Sequence, residues 1–260
     1  ALALALSVLA LHPARAEDPD QLLIVFDASG SMKDSLGTET KLSAAKRVMN
    51  QLLPSLPKDT AVGLMVFGHR SDACTDIQLV EPIGPVAPET IARMQNTVNG
   101  LAALGRTPIA DSLRKSIPAF GGRPGRLILV TDGEESCNGD VCAAAEEVRN
   151  SGVHLVVDIV GFNLDEKQKT ALKCITEATG GRYYDAKDGE ALGRAMNQAA
   201  QNALSKTRLE VAVIEGAKGP AHQPLITVRS VDDPSQMPVS LMENPSLFAL
   251  PKGRYSVTAR

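Results

Sequence analysis

Four nearly continuous apolar runs, Leu22–Phe26, Ala61–Phe67, Leu127–Thr131 and Val153–Val160, alternate along the chain with segments whose apolar residues recur at helical spacing. A strand that is apolar on both faces needs cover on both faces, so this pattern demands a parallel sheet sandwiched between helices. The helices are predicted at Lys41–Leu53, Glu89–Asn99, Thr107–Ile117, Val141–Asn150, Asp165–Ala178 and Glu190–Leu204, several of them stopped by Gly100, Gly152 or Gly180-Gly181. Thr107 is expected as an N-cap with Pro108 at the first helical position. A short run, Ile77–Val80, lies close enough to Ala61–Phe67 to pair with it antiparallel, and Arg182–Tyr184 gives one more short strand. Residues 20–204 therefore read as one open, doubly wound, mostly parallel α/β sheet with one antiparallel edge strand.

The pattern changes after Arg208. Leu209, Val211 and Val213, then Leu225–Val231, Leu247–Leu250 and Tyr255–Thr258, form short period-two runs between glycines and prolines. Residues 207–260 are expected to form a small, truncated β-sandwich-like module, because the strand pattern runs on to Arg260. At a typical domain size of roughly 150 residues, a chain of 260 residues is expected to hold one large domain and one smaller one. The other end has a character of its own: only Ala, Leu, Val and one Ser reach to Leu11, followed by Ala14-Arg15-Ala16. Residues 1–16 read as part of a secretory signal peptide with its small-residue cleavage site, the run being too short for the roughly 20 residues of a membrane span. The expected location is periplasmic or extracellular. Cys74, Cys137, Cys142 and Cys174 suit two disulfides in an oxidising compartment, and their spacing does not make the two close pairs of a zinc site.

Composition removes some function classes. Lys and Arg number 27 against 30 Asp and Glu, no basic run is present, and aromatic residues are 3% with no Trp. Neither the basic face nor the stacking platforms of a nucleic-acid binder are available.

The chemistry gathers at strand ends, where open α/β sheets place their ligands. Asp27-Ala28-Ser29-Gly30-Ser31 follows the first run directly, placing a carboxylate and two hydroxyls at alternate positions of a tight turn. Oxygen-only donors of this kind suit a hard cation. Asp132-Gly133 follows another run, and Thr107 opens a helix between the two in sequence. In this order the residues resemble the metal-ion-dependent adhesion site of the von Willebrand factor type A domain family, and the resemblance covers residues 20 to about 204. It implies that Ser29, Ser31 and Thr107 offer hydroxyl oxygens to Mg²⁺, with Mn²⁺ or Ca²⁺ as alternatives. Asp27 and Asp132 would bind the ion directly or through water, and a carboxylate on a protein or glycan partner would fill the open position. Gly68-His69-Arg70, Asp132 to Cys142, and Leu172-Lys173-Cys174-Ile175 with Thr179-Gly180-Gly181 are similar to an exported bacterial subgroup of these domains. The family's strand order implies the pairings Cys74 with Cys137 and Cys142 with Cys174. The tail segment Leu250-Pro251-Lys252-Gly253-Arg254-Tyr255 is similar to repeats of small extracellular β-sandwich modules.

Enzyme alternatives fare less well. A strand-end Asp with Mg²⁺ also serves phosphotransfer, with Asp27 as nucleophile. That chemistry usually has a second acid two residues on, where this chain has Ser29, and no lysine is expected near the strand ends. Neither G-x-G-x-x-G nor a Walker A pattern occurs, and Ser29 does not sit on a nucleophile elbow. A structural envelope protein whose site takes no ligand is the third alternative. His69 and Arg70 read as a solvated hairpin tip, Glu135 as a charged helix approach, Glu134 as part of a negative rim, and His154 as the structural start of a strand.

Overall fold

A computed structural model of the chain describes residues 20–204 and the tail segments 207–211, 225–231, 238–241, 246–250 and 255–259. The signal-peptide expectation for residues 1–16 and the reading of Val213 lie outside the described residues. In chain order the strands of the main unit are β1 (Gln21–Asp27), β2 (Ser35–Leu36), β3 (Glu39–Thr40), β4 (Ala61–Phe67), β5 (Ile77–Pro85), β6 (Gly125–Thr131), β7 (Leu155–Phe162) and β8 (Tyr183–Ala186). Its helices are α1 (Lys41–Leu52), α2 (Pro88–Gly100), α3 (Ile109–Ser116), α4 (Val141–Arg149), α5 (Glu166–Thr179) and α6 (Gly189–Ala203).

The sheet order is β5-β4-β1-β6-β7-β8, and every neighbouring pair is parallel except β4 with β5. All seven residues of β1 and of β4 are buried, as the unbroken apolar runs require of central strands. Alternate residues of β1 feed two separate cores. Leu22, Ile24 and Phe26 pack with α1, α2 and α6, while Leu23 and Val25 pack with α3, α4 and α5. Side-chain alternation on a strand is what divides one run between two layers.

The edge strand β5 is longer than the predicted Ile77–Val80. Pro82, Gly84 and Pro85 read as breakers, yet an edge strand needs no amide on its outer side, and the pairing passes them with register shifts opposite Gly63 and Leu64. Two disulfides, Cys74–Cys137 and Cys142–Cys174, take the pairing expected from the family's strand order. The first ties the β4–β5 loop to the loop after β6, and the second joins α4 to α5.

In the tail, β9 (Thr207–Val211) pairs with β12 (Ser246–Leu250), and β10 (Ile226–Ser230) lies between β11 (Val239–Leu241) and β13 (Tyr255–Ala259). All of these pairings are antiparallel. Among the described residues no helix is long and apolar enough to cross a membrane.

Candidate metal centre at the carboxyl end of the sheet

Three loops meet where β1 and β6 end. Asp27 is the last residue of β1, and the chain then turns through Ala28 and Ser29 into a short 3₁₀ turn, Gly30–Lys33, pinned by the fully buried Met32. This turn is stitched to the segment before α3: Ser29 bridges Gly105, Gly30 N–H donates to the Gly105 carbonyl at 2.8 Å, and Leu104 N–H donates to the Ala28 carbonyl at 3.2 Å. Such close approach needs glycine. A Cβ on Gly105 would stand 2.1 Å from the Ser71 carbonyl oxygen, and one on Gly68, whose φ is +69°, would stand 2.9 Å from the Ser29 Cα.

The five side chains named from sequence come together. Ser29 Oγ and Ser31 Oγ lie 3.1 Å apart, and Ser31 Oγ donates to Asp132 Oδ1 at 2.7 Å. Thr107 joins them: a Cβ built on Gly133 would lie 3.8 Å from Ser31 Oγ and 4.0 Å from Thr107 Oγ1. All five surround or underlie one cleft of about 450 Å³, whose walls include Ser29, Ser31, Lys41, Thr107, Asp132 and Asn163.

Asp27 sits beneath this cleft with 0% exposure. Its Oδ1 accepts from Ser29 N–H at 2.7 Å and its Oδ2 from Thr131 Oγ1 at 2.7 Å, so both partners are neutral. Burial first, and the charge of Asp132 second, push its pKa up to about 7 against the lowering effect of the Ser29 and Thr131 bonds. The acid is thus held in a place that disfavours its own charge.

Several expectations need correction. Thr107 does not cap α3. Pro108 occupies the N-cap with no side-chain cap bond, and Glu135 reaches across instead, Oε2 accepting from Ala110 N–H at 2.8 Å and Oε1 from Cys137 N–H at 2.6 Å. Thr107 N–H is taken by Ser136 Oγ at 2.8 Å. Because a distant carboxylate supplies the cap, the Thr107 hydroxyl is left to face the cleft. Glu135 therefore has a specific structural task rather than a general charged approach, while Glu134 lines the cleft and lies 3.8 Å from Lys167.

The solvated hairpin tip holds for Arg70, whose side chain is 50% exposed, but not for His69. The His69 ring is largely buried, Nε2 lying 3.3 Å from Gln78 Oε1, and burial lowers its pKa. Arg70 Nε donates to Asp76 Oδ1 at 2.7 Å, and Asp76 also accepts from the Arg70 and Ser71 amides. These residues organise the β4–β5 loop and do not line the cleft. His154 precedes β7, and its carbonyl accepts from Gly125 N–H at 3.1 Å, which is a structural role.

The lysine that was not expected is Lys41. Its ammonium donates to Asp132 Oδ2 at 2.8 Å and lies 3.6 Å from Asp34 Oδ2. As the first residue of α1, it reads in sequence only as a polar helix start. The close return of the β2–β3 hairpin, closed by Lys41 N–H donating to the Asp34 carbonyl at 3.0 Å, is what turns it inward. Asn163, in the left-handed region at φ 56°, closes the cleft from the end of β7 and had no sequence signal either.

The donors match a hard divalent ion: three hydroxyls, two carboxylates and room for water. Among the described residues no three His, Cys, Asp or Glu side chains cluster as a softer metal would ask. Asp27, with neutral partners only and a neighbouring negative charge, is the group that gains most from a cation. Ser29, Ser31, Thr107, Asp27 and Asp132 are the residues that would hold it.

The model of the von Willebrand factor type A domain matches residues 22–135. Over 187 residues the chain is 36% identical to the uncharacterized protein YwmD of Bacillus subtilis (strain 168), covering 68% of this chain and 84% of that one. Among solved structures it is similar to a von Willebrand factor type A protein from Catenulispora acidiphila, with TM-score 0.62 and 18% identity over 82% of this chain. It is also similar to the pilus adhesin SpaC from Lactobacillus rhamnosus GG, with TM-score 0.60 and 16% identity over 94% of this chain. The matches span 46% and 38% of those two longer chains, and at such identities they show the fold alone.

Proposed function

Because the chain belongs to the von Willebrand factor type A domain family, we propose that it is a non-enzymatic, metal-dependent binding module of the bacterial cell envelope. It would hold Mg²⁺ through Asp27, Ser29, Ser31, Thr107 and Asp132 and use the ion to bind an acidic group on a protein or glycan partner. The observation that carries this reading is the buried Asp27 carboxyl, paired only with neutral donors beneath a cleft walled by hydroxyls. Such a site is short of positive charge on its floor and open above, so an ion bound there keeps a face for an incoming carboxylate. The likeness to a pilus adhesin and the two disulfides favour an extracellular or periplasmic setting.

Lys41 favours a second reading, because phosphoryl transfer from an aspartate calls for a cation beside it. Against this, the second acid expected two residues after Asp27 is replaced by Ser29, and Lys41 is held by Asp132 and Asp34. The test is direct. Metal-stripped protein titrated with Mn²⁺ should bind one ion per chain, Asp27→Asn should bind none, and neither should release phosphate from p-nitrophenyl phosphate. A partner held in Mg²⁺ should be released by EDTA. Absence of saturable metal binding at millimolar concentration would reject the proposal, and turnover of the phosphate ester dependent on Asp27 would favour the enzyme.

A further inference from the structure

The Asp132 carboxylate has both oxygens engaged: Oδ1 with Ser31 Oγ at 2.7 Å and Oδ2 with Lys41 Nζ at 2.8 Å. The Lys41 side chain is 8% exposed and that of Asp132 is fully buried, so this is an ion pair inside the cleft wall. A buried ammonium persists only when it is paired. Lys41 has a second anion in reach, Asp34 at 3.6 Å, whose side chain is 66% exposed at the mouth of the same cleft. The backbone around it is fixed by the Lys41 N–H bond to the Asp34 carbonyl and by the Thr40 cap of α1, which accepts from Ser43 N–H at 3.2 Å. The Lys41 side chain therefore has two anionic partners in reach, one deep and one at the rim.

A divalent ion and an ammonium cannot share one small carboxylate site at low cost. Two like charges held against the same carboxylate repel strongly at the effective dielectric typical of pairs near a protein surface, and a divalent ion doubles the repulsion. We propose that Lys41 is a tethered cation that competes with the metal for Asp132. In the metal-free site its ammonium neutralises Asp132; as the ion loads, the ammonium passes to Asp34. Lys41 thereby keeps the empty site folded and sets metal affinity below what the oxygen donors alone would give. This rests on the metal-binding reading above, and it assigns Lys41 and Asp34 a part in tuning that site which the five-residue motif does not contain.

The test is a titration of Mn²⁺ into the full chain, read by calorimetry, for wild type, Lys41→Met, Asp34→Asn and the double variant. Lys41→Met should bind Mn²⁺ at least roughly tenfold more tightly, since it removes a competing charge, while melting at a lower temperature than wild type in EDTA. Asp34→Asn, an exposed change that leaves the fold intact, should bind more weakly because the displaced ammonium loses its second partner. In the Lys41→Met background Asp34→Asn should have no such effect. Unchanged or weaker binding in Lys41→Met, or an equal Asp34→Asn effect in both backgrounds, would overturn the proposal while leaving a metal-binding wild type intact. Absence of binding in all four proteins would instead remove the metal reading and this inference together.

Discussion

Two aspartates lie at 0% exposure in the same sheet, and they are treated in opposite ways. Asp158, in the interior of β7, accepts from Arg126 Nε at 3.2 Å and Nη2 at 2.8 Å and from the Arg182 N–H at 2.8 Å. Its charge is matched by a guanidinium in two-point contact, the geometry best suited to a buried carboxylate. Asp27, at the end of β1, receives an amide and a hydroxyl and faces the like charge of Asp132. A buried charge with its partner built in belongs to the fold, whereas a buried charge left without one is poised for something that arrives from outside.

Removing each carboxylate should break this comparison if it is wrong. Asp158→Ala leaves Arg126 without its anion and should destabilise the protein by about 3 kcal/mol or more, the usual cost of breaking a buried pair. Urea unfolding in EDTA measures this. Asp27→Asn should cost nothing in the same buffer: the amide can donate to Thr131 Oγ1, whose hydrogen is then free for the Gly133 carbonyl at 3.2 Å, and the repulsion from Asp132 is gone. Equal losses in the two variants would make both aspartates structural.

A pH series sharpens the contrast. The folded-state pKa of Asp27 is raised from 3.8 to about 7, so its protonated form is favoured by folding. Its contribution to stability is full below 3.8 and is lost as pH rises through about 7. In EDTA, wild type should therefore lose stability relative to Asp27→Asn as the pH climbs through that window, whereas a constant difference between the two would deny that burial burdens Asp27. The smallest effect is expected at Ser29. Ser29→Ala removes one neutral oxygen that water can replace, and should weaken metal binding by about 1 kcal/mol. A loss as large as that of Asp27→Asn would mean that the hydroxyls, not the carboxylates, dominate the site.

The same contrast explains what sequence could and could not reveal. Asp27, Ser29 and Ser31 lie in one pentapeptide, and Asp132 follows an apolar run, so topology alone brings them near one another once the strands are recognised. The two core layers were legible for the same reason, as each central strand is apolar on both faces. Lys41 was not legible, because a lysine opening a helix normally points to solvent and only the β2–β3 hairpin turns it toward Asp132. The cap expected of Thr107 is supplied instead by Glu135, which is distant in sequence. The length of β5 was underestimated because its prolines are tolerated only by virtue of its place at the sheet edge. Each failure is a tertiary contact that overrides a local preference.

The central claim is that Asp27 is held ready for a divalent ion, and thermal melting of wild type and Asp27→Asn, each in EDTA and in saturating Mg²⁺, tests it most directly. At 100 times its dissociation constant a ligand adds about 2.7 kcal/mol of stability when the unfolded chain does not bind it. The account predicts that Mg²⁺ raises the melting temperature of wild type by several degrees and that of Asp27→Asn hardly at all, with Asp27→Asn melting no lower than wild type in EDTA. The same Mg²⁺ shift in both proteins would contradict it.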